Sequence, residues 1–175
     1  DGRLVACAGD PDHVTFWRSA AKPFQAAAVV AAGAADRFGL DEAELAVMCA
    51  SHNGEEEHLE TVRRLLARAG LGEGDLRCGV HPPAGEAARA ALLRAGAEPG
   101  PLHNNCSGKH AGMLVLARHR GWPVEGYTHR DHPVQQAMLE AVAAVAAVPP
   151  EGVALGVDGC GVPTFGLPLR SLARA

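Results

Sequence analysis

No long block of like charge interrupts this sequence, and none of its apolar stretches is long. Its 16 basic and 20 acidic residues, net charge −4, are dispersed along 175 positions. No basic track exists that could follow a phosphate backbone, so nucleic acid is not an expected partner. The small-residue stretch AAAVVAAGAA is broken by Gly33 and falls short of the roughly 18 to 20 apolar residues that span a bilayer, so no membrane contact is expected. Cysteine is sparse and odd in number, at Cys7, Cys49, Cys78, Cys106 and Cys160. That is unlike the dense, even framework of a small secreted domain, and a reducing cytoplasm suits it better. The chain opens on Asp1 rather than methionine, which leaves room for a removed leader. Lysine is the scarcest charged residue, present only as Lys22 and Lys109.

What is present fits one globular domain over residues 1–175: a hydrophobic content of 47% against 21% charged is enough to bury a core. RLVACAG and HVTFW read as strands paired in a hairpin around GDPD. A helix is expected from Pro23 to Ala35, because proline is tolerated in a first turn. LAVMCA reads as a buried strand that ends in the polar SHNGE. Leu59, Val62, Leu65, Leu66 and Ala69 then recur at helical spacing. Further helices are expected over residues 86–96, 107–120 and 133–147, and VALGV is a strand leading into a broken loop, DGCGVPTF. The expected class is α+β.

The rare polar residues are not scattered. Ser19, Ser51, Ser107, Asn53, Asn104, Asn105 and both lysines fall in RSAAK, SHNGE and HNNCSGKH; only Ser171 lies elsewhere. A bias toward Ala, Gly and Arg would by itself confine polar residues to turns. The lysines argue for more, since arginine cannot be deprotonated in a protein and a desolvated lysine can.

Ser19 and Lys22 form S-x-x-K, and i, i+3 spacing on a first helical turn puts the amine beside the hydroxyl. A neutral Lys22 there would make Ser19 a nucleophile; the alternative is a capping serine with a solvated lysine. Cys106 and Cys160 each sit in a polar, glycine-containing loop, the first flanked by His103, Lys109 and His110. Thiolate and imidazole are zinc ligands, and two inert buried thiols are the competing reading.

Taken in order, RSAAKPFQ, CASHNGEEEH, HNNCSGKHAGML, GYTHRDHPVQ and DGCGVPTFGLPL resemble the L-asparaginase II family, bacterial asparaginases typified by the rhizobial thermolabile type. The resemblance runs over essentially the whole chain. It implies an α/β sandwich like that of serine beta-lactamases and penicillin-binding proteins, incomplete here at the C-terminal end. It also implies hydrolysis of L-asparagine to L-aspartate and ammonia by a homodimer. Position by position, Ser19 and Lys22 match one Ser-Lys pair and Ser51 the serine of a second. Cys106, Lys109 and Cys160 match the ligands of one zinc ion, and Arg18, His52 and Asp158 match polar residues near the substrate. A lysine ligand must be unprotonated, which arginine could never be.

Two departures stand out. Family members are longer, and the lysine that partners the second serine lies in the portion absent here, so Ser51 is expected to lack a lysine partner. Ala20 stands where the family often has a second serine. The expected chemistry is double displacement, with Ser19 attacking the side-chain amide, backbone N–H groups near Ser19 holding the oxyanion and zinc organising the pocket. The competing expectations are a non-catalytic, zinc-stabilised fragment, and a related serine hydrolase acting on glutamine or a beta-lactam.

Overall fold

The computed structural model describes residues 3–175. Three strands, β1 (Val14–Phe16), β2 (Ala154–Val157) and β3 (Pro163–Pro168), form one antiparallel sheet in the order β1-β3-β2. Eight helices accompany it among the described residues: α1 (Lys22–Ala31), α2 (Ala34–Phe38), α3 (Glu42–Cys49), α4 (Glu56–Arg68), α5 (Glu86–Ala95), α6 (Ser107–Arg120), α7 (Pro133–Ala146) and α8 (Leu169–Arg174). The architecture is α+β, as expected.

The hub is α6. Its first eleven residues, from Ser107 to Ala117, are all buried, and α1, α3, α4 and α7 pack around it. A helix buried on every side carries no amphipathic signature, yet its bounds match the expected 107–120, because Gly121 closes it in the left-handed conformation (φ 68°). Close crossing of α3 over α6 depends on two glycines. A Cβ on Gly108 would overlap the Val47 carbonyl, and one on Gly112 would press into the Met48 side chain.

Four expectations are corrected. LAVMCA belongs to α3. Six apolar residues cannot by themselves distinguish a strand from a buried helix, and the deciding signal lies upstream, where Asp41 and Glu44 form a reciprocal capping box with N–H to carboxylate distances of 2.9 and 2.8 Å. Glu44 is fully buried and also accepts from Arg68 Nε at 2.7 Å and Arg64 Nε at 3.2 Å, which ties α3 to α4. The expected N-terminal hairpin does not form: residues 3–9 are irregular and exposed, and β1 pairs instead with β3, Val14 opposite Pro168. Third, DGCGVPTF is not loop throughout, since Pro163 opens β3, the strand position where a missing N–H is tolerated. The long helix expected after Pro23 is divided at Gly33 (φ 81°) into α1 and α2.

What remains of the loop, residues 158–162, is a tight turn between β2 and β3. Asp158 N–H donates to the Val162 carbonyl and Gly161 N–H to the Asp158 carbonyl, both at 2.9 Å, and Gly161 takes φ 85°. This turn faces the start of α6. No described helix is long and apolar enough to cross a membrane.

Gly108→Ala is expected to lower stability by about 2 kcal/mol or more through overpacking, a fall of roughly 4–8 °C in thermal midpoint at this size. Gly72→Ala, whose Cβ meets nothing within 4 Å, is the control. Equal midpoints for the two variants in thermal denaturation would remove the close-crossing argument.

Candidate active site and thiol cluster

Ser19 lies in a short 3-10 turn, Arg18–Ala21, between β1 and α1. The turn is anchored where Trp17 N–H donates to the Phe165 carbonyl at 2.9 Å. Arg18 adopts φ 47°, a left-handed conformation that non-glycine residues adopt only where their surroundings impose it. Its guanidinium meets Asp158 at 3.0 Å, reaching from an exposed position to a largely buried carboxylate.

Lys22 begins α1 and is 1% exposed. Its amine donates to three acceptors: the Ala50 carbonyl at 2.7 Å, Ser51 Oγ at 2.8 Å and the Asn105 carbonyl at 3.2 Å. Ser51 Oγ in turn donates to Ser19 Oγ at 2.9 Å. The structure therefore corrects the expected pairing. Lys22 does not sit directly on Ser19; Ser51 stands between them, and Ser51 does have a lysine partner, Lys22 itself. The i, i+3 spacing suggested a local contact, whereas acceptors from the end of α3 and from the loop before α6 draw the amine away from its own turn. Burial lowers the Lys22 pKa, opposed by the neighbouring Cys106. Both serines are exposed: two accessible hydroxyls rest on one buried amine.

The second cluster joins the start of α6 to the β2–β3 turn. The ligand atoms of Cys106, Cys160 and Asp158 all lie within 4.8 Å of one another. Lys109 Nζ is 3.2 Å from Cys160 Sγ and 3.8 Å from Asp158 Oδ2. Cys106 has its pKa lowered, chiefly because Cys160 hydrogen-bonds to it, with the Lys109 and Lys22 charges adding to the effect. Cys160 is raised by the same hydrogen bond and by burial. The pair thus favours one thiolate, at Cys106, and one thiol, at Cys160. All five cysteines are free.

His52 is buried, and both its ring nitrogens are engaged. Nδ1 accepts from Gly54 N–H at 3.2 Å, which leaves the proton on Nε2 to donate to Ser107 Oγ at 2.8 Å. Ser107 passes its own proton to the Leu102 carbonyl at 3.0 Å. The ring also stacks on His58, with centroids 5.3 Å apart. His52 therefore ties the junction after Ser51 to the start of α6.

His81, which helps hold the site, was not singled out from sequence, and Asn104 was noted there only as one of the clustered rare polar residues. His81 Nε2 accepts from Asn105 N–H at 3.2 Å and fixes the loop whose carbonyl holds Lys22. Asn104 donates to the Cys78 carbonyl at 2.8 Å and accepts from Cys106 N–H at 2.9 Å. The Asn-Asn pair ahead of a helix is the usable signal, since asparagine readily bonds the backbone two residues on. Of the N–H groups near Ser19, that of Ala20 is committed to the Trp17 carbonyl at 3.0 Å, which removes it as an oxyanion donor.

Paired, exposed serine hydroxyls on a buried amine are an arrangement that acyl-transfer hydrolysis can use. The family model for L-asparaginase II matches residues 1–175, and the chain belongs to that family. No curated protein matches the chain. Membership makes it a hydrolase and implies a small-molecule substrate, asparagine.

Burial, with the charges of His58, Lys22, His81 and His103 adding to it, takes the His52 pKa from 6.5 down to about 4. Above pH 6.5 both folded and unfolded chains keep the ring neutral. As pH falls through the interval to about 4, the unfolded chain takes up a proton that the folded one resists, so stability declines with falling pH, by on the order of 2–3 kcal/mol. Denaturant unfolding from pH 8 to 4 should show this slope, and His52→Asn should flatten it. An identical slope in the variant would assign the acid sensitivity elsewhere.

Proposed function

We propose that this chain carries the nucleophilic centre of an L-asparagine amidohydrolase, converting L-asparagine to L-aspartate and ammonia through a serine acyl-enzyme. One observation carries the reading: the continuous chain Ser19 Oγ, Ser51 Oγ, Lys22 Nζ, with links of 2.9 and 2.8 Å. With Lys22 neutral, the Ser51 proton moves to Nζ as the Ser19 proton moves to Ser51 Oγ. Ser19 Oγ then bonds to the side-chain amide carbon, and the relay returns a proton to the departing ammonia. Water then attacks the ester, giving up a proton to the relay; the bond from Ser19 Oγ to the acyl carbon breaks, the relay returns the proton to Ser19 Oγ, and aspartate leaves. The desolvation that lowers the Lys22 pKa favours the neutral amine that this requires.

The exposed Arg18 guanidinium, aimed by Asp158, offers a cation to the substrate carboxylate. The short antiparallel sheet, with S-x-x-K at the start of the helix that follows its first strand, is compatible with part of a beta-lactamase-like fold, and we adopt that reading.

The thiol cluster suits zinc by its chemistry: two sulfurs and an amine converge beside a carboxylate, all largely buried. Cys106, Lys109 and Cys160 would hold the ion, with Lys109 unprotonated. When bound, zinc would supply a fixed positive charge that holds both thiolates and organises the pocket wall. The attacking atom remains Ser19 Oγ.

Ammonia release from L-asparagine tests the centre. Ser19→Ala is expected to lose at least about 10³-fold in turnover, and Ser51→Ala about 10²-fold or more as a broken relay. Retained turnover in Ser19→Ala with loss in Ser51→Ala would move the nucleophile to Ser51. For the metal, chelation is expected to lower the thermal midpoint by several degrees and added zinc to restore it, as binding to the folded state alone requires. A midpoint indifferent to both would discard the zinc assignment.

A further inference from the structure

The start of α6 carries one more group that the reading above does not use. His110 follows Lys109 and is fully buried. Its Nδ1 lies 2.7 Å from the Tyr127 hydroxyl, and Tyr127 Oη accepts the Arg77 N–H at 2.9 Å. A phenol has one proton. With the Arg77 N–H already donated to its oxygen, that proton is free to go to His110 Nδ1, which then acts as acceptor and leaves the imidazole proton on Nε2. Tyr127 is itself fully buried, edge-on to the ring at 5.6 Å between centroids and 82°, so the ring has little freedom to turn.

Nε2 is buried and makes no hydrogen bond in the structure. A buried N–H left without an acceptor is costly and needs an explanation. The cluster member that His110 acts on is Cys160: each influences the other's protonation, and of the influences that favour the Cys160 thiolate His110 is the largest, acting against the Cys106 hydrogen bond and burial. The order Arg77 N–H, Tyr127 O–H, His110 N–H, Cys160 sulfur is thus a directed series in which every donor before the last has a placed acceptor.

We propose that His110 is a positioning residue for the thiol cluster: its Nε2–H, aimed by Tyr127, donates to the Cys160 sulfur and so sets how tightly Cys106, Lys109 and Cys160 hold a zinc ion. The inference rests on the zinc reading above. Partners of this kind, one bond outward from the metal, orient a ligand and typically change metal affinity by about 10- to 100-fold.

The test uses the whole chain and zinc itself, with affinity measured by competition against a chelator and ligand character by the sulfur-to-cobalt charge-transfer absorption of the cobalt-loaded protein. His110→Leu is expected to weaken zinc by about 10- to 100-fold and to shift the charge-transfer band. His110→Gln, whose amide N–H can reach the same place, should recover most of the loss. Tyr127→Phe, which leaves His110 in position and removes its aim, should weaken zinc by a smaller factor and shift the band in the same direction. Unchanged affinity and spectrum in His110→Leu overturn the proposal, and if that variant does not fold, the same result in Tyr127→Phe does so. Failure of the wild-type chain to bind one zinc that Cys106→Ser loses is a different result: it removes the zinc reading itself.

Discussion

The buried amine of Lys22 holds this structure's functional half together. It is 1% exposed, and an unpaired ammonium at that depth would be strongly destabilising. Three acceptors offset the penalty, and they come from the C-terminal end of α3 (Ala50), the junction after it (Ser51) and the loop before α6 (Asn105). The side chain that would do the chemistry is therefore also the pin joining α1 to two distant segments. The constraint runs both ways: α3 must end at Cys49 and turn extended at Ala50 for that carbonyl to face inward, and the Asn105 loop must be held by His81 and Asn104.

The same loop continues into the thiol cluster, so the two centres share a wall and a field. Cys106 is drawn toward thiolate by Lys109 and Lys22 as well as by Cys160, while the Cys106 charge acts on Lys22 against the effect of burial. The β2–β3 turn closes the arrangement by bringing Asp158 and Cys160 against the start of α6, and Asp158 reaches Arg18 beside Ser19. A change in charge at either centre is felt at the other.

Much of this was readable from residues alone. The scarcity of lysine pointed to Lys22 and Lys109, both of which are buried. Cys106 and Cys160, separated by two helices and one strand in sequence, meet in space, and α6 and α7 lie where helical signals placed them. The misses have physical causes. LAVMCA is a helix because a capping box decided what six apolar residues could not. The N-terminal hairpin failed because β3, buried between two edge strands, competes for β1 from more than a hundred positions away, beyond the reach of local pattern. The Lys22 to Ser51 bond was hidden for the same reason: S-x-x-K describes a local spacing, and the acceptors that fix the amine are tertiary.

Those acceptors also give the amine a direction. Fully protonated, Lys22 has three N–H bonds and three places to put them, two of which are carbonyls that can only accept. If the amine loses a proton, a lone pair needs a donor, and Ser51 is the one neighbour of the three with a proton to offer. Ser51 can give it up only by taking another, and Ser19 lies 2.9 Å away. Proton flow is thereby restricted to one path by elimination among the acceptors, independent of which serine attacks. An arginine at position 22 could make as many hydrogen bonds but has no lone pair to accept the proton. The chain keeps lysine at the two places where an amine would have to give up its charge, and uses arginine at every other basic position.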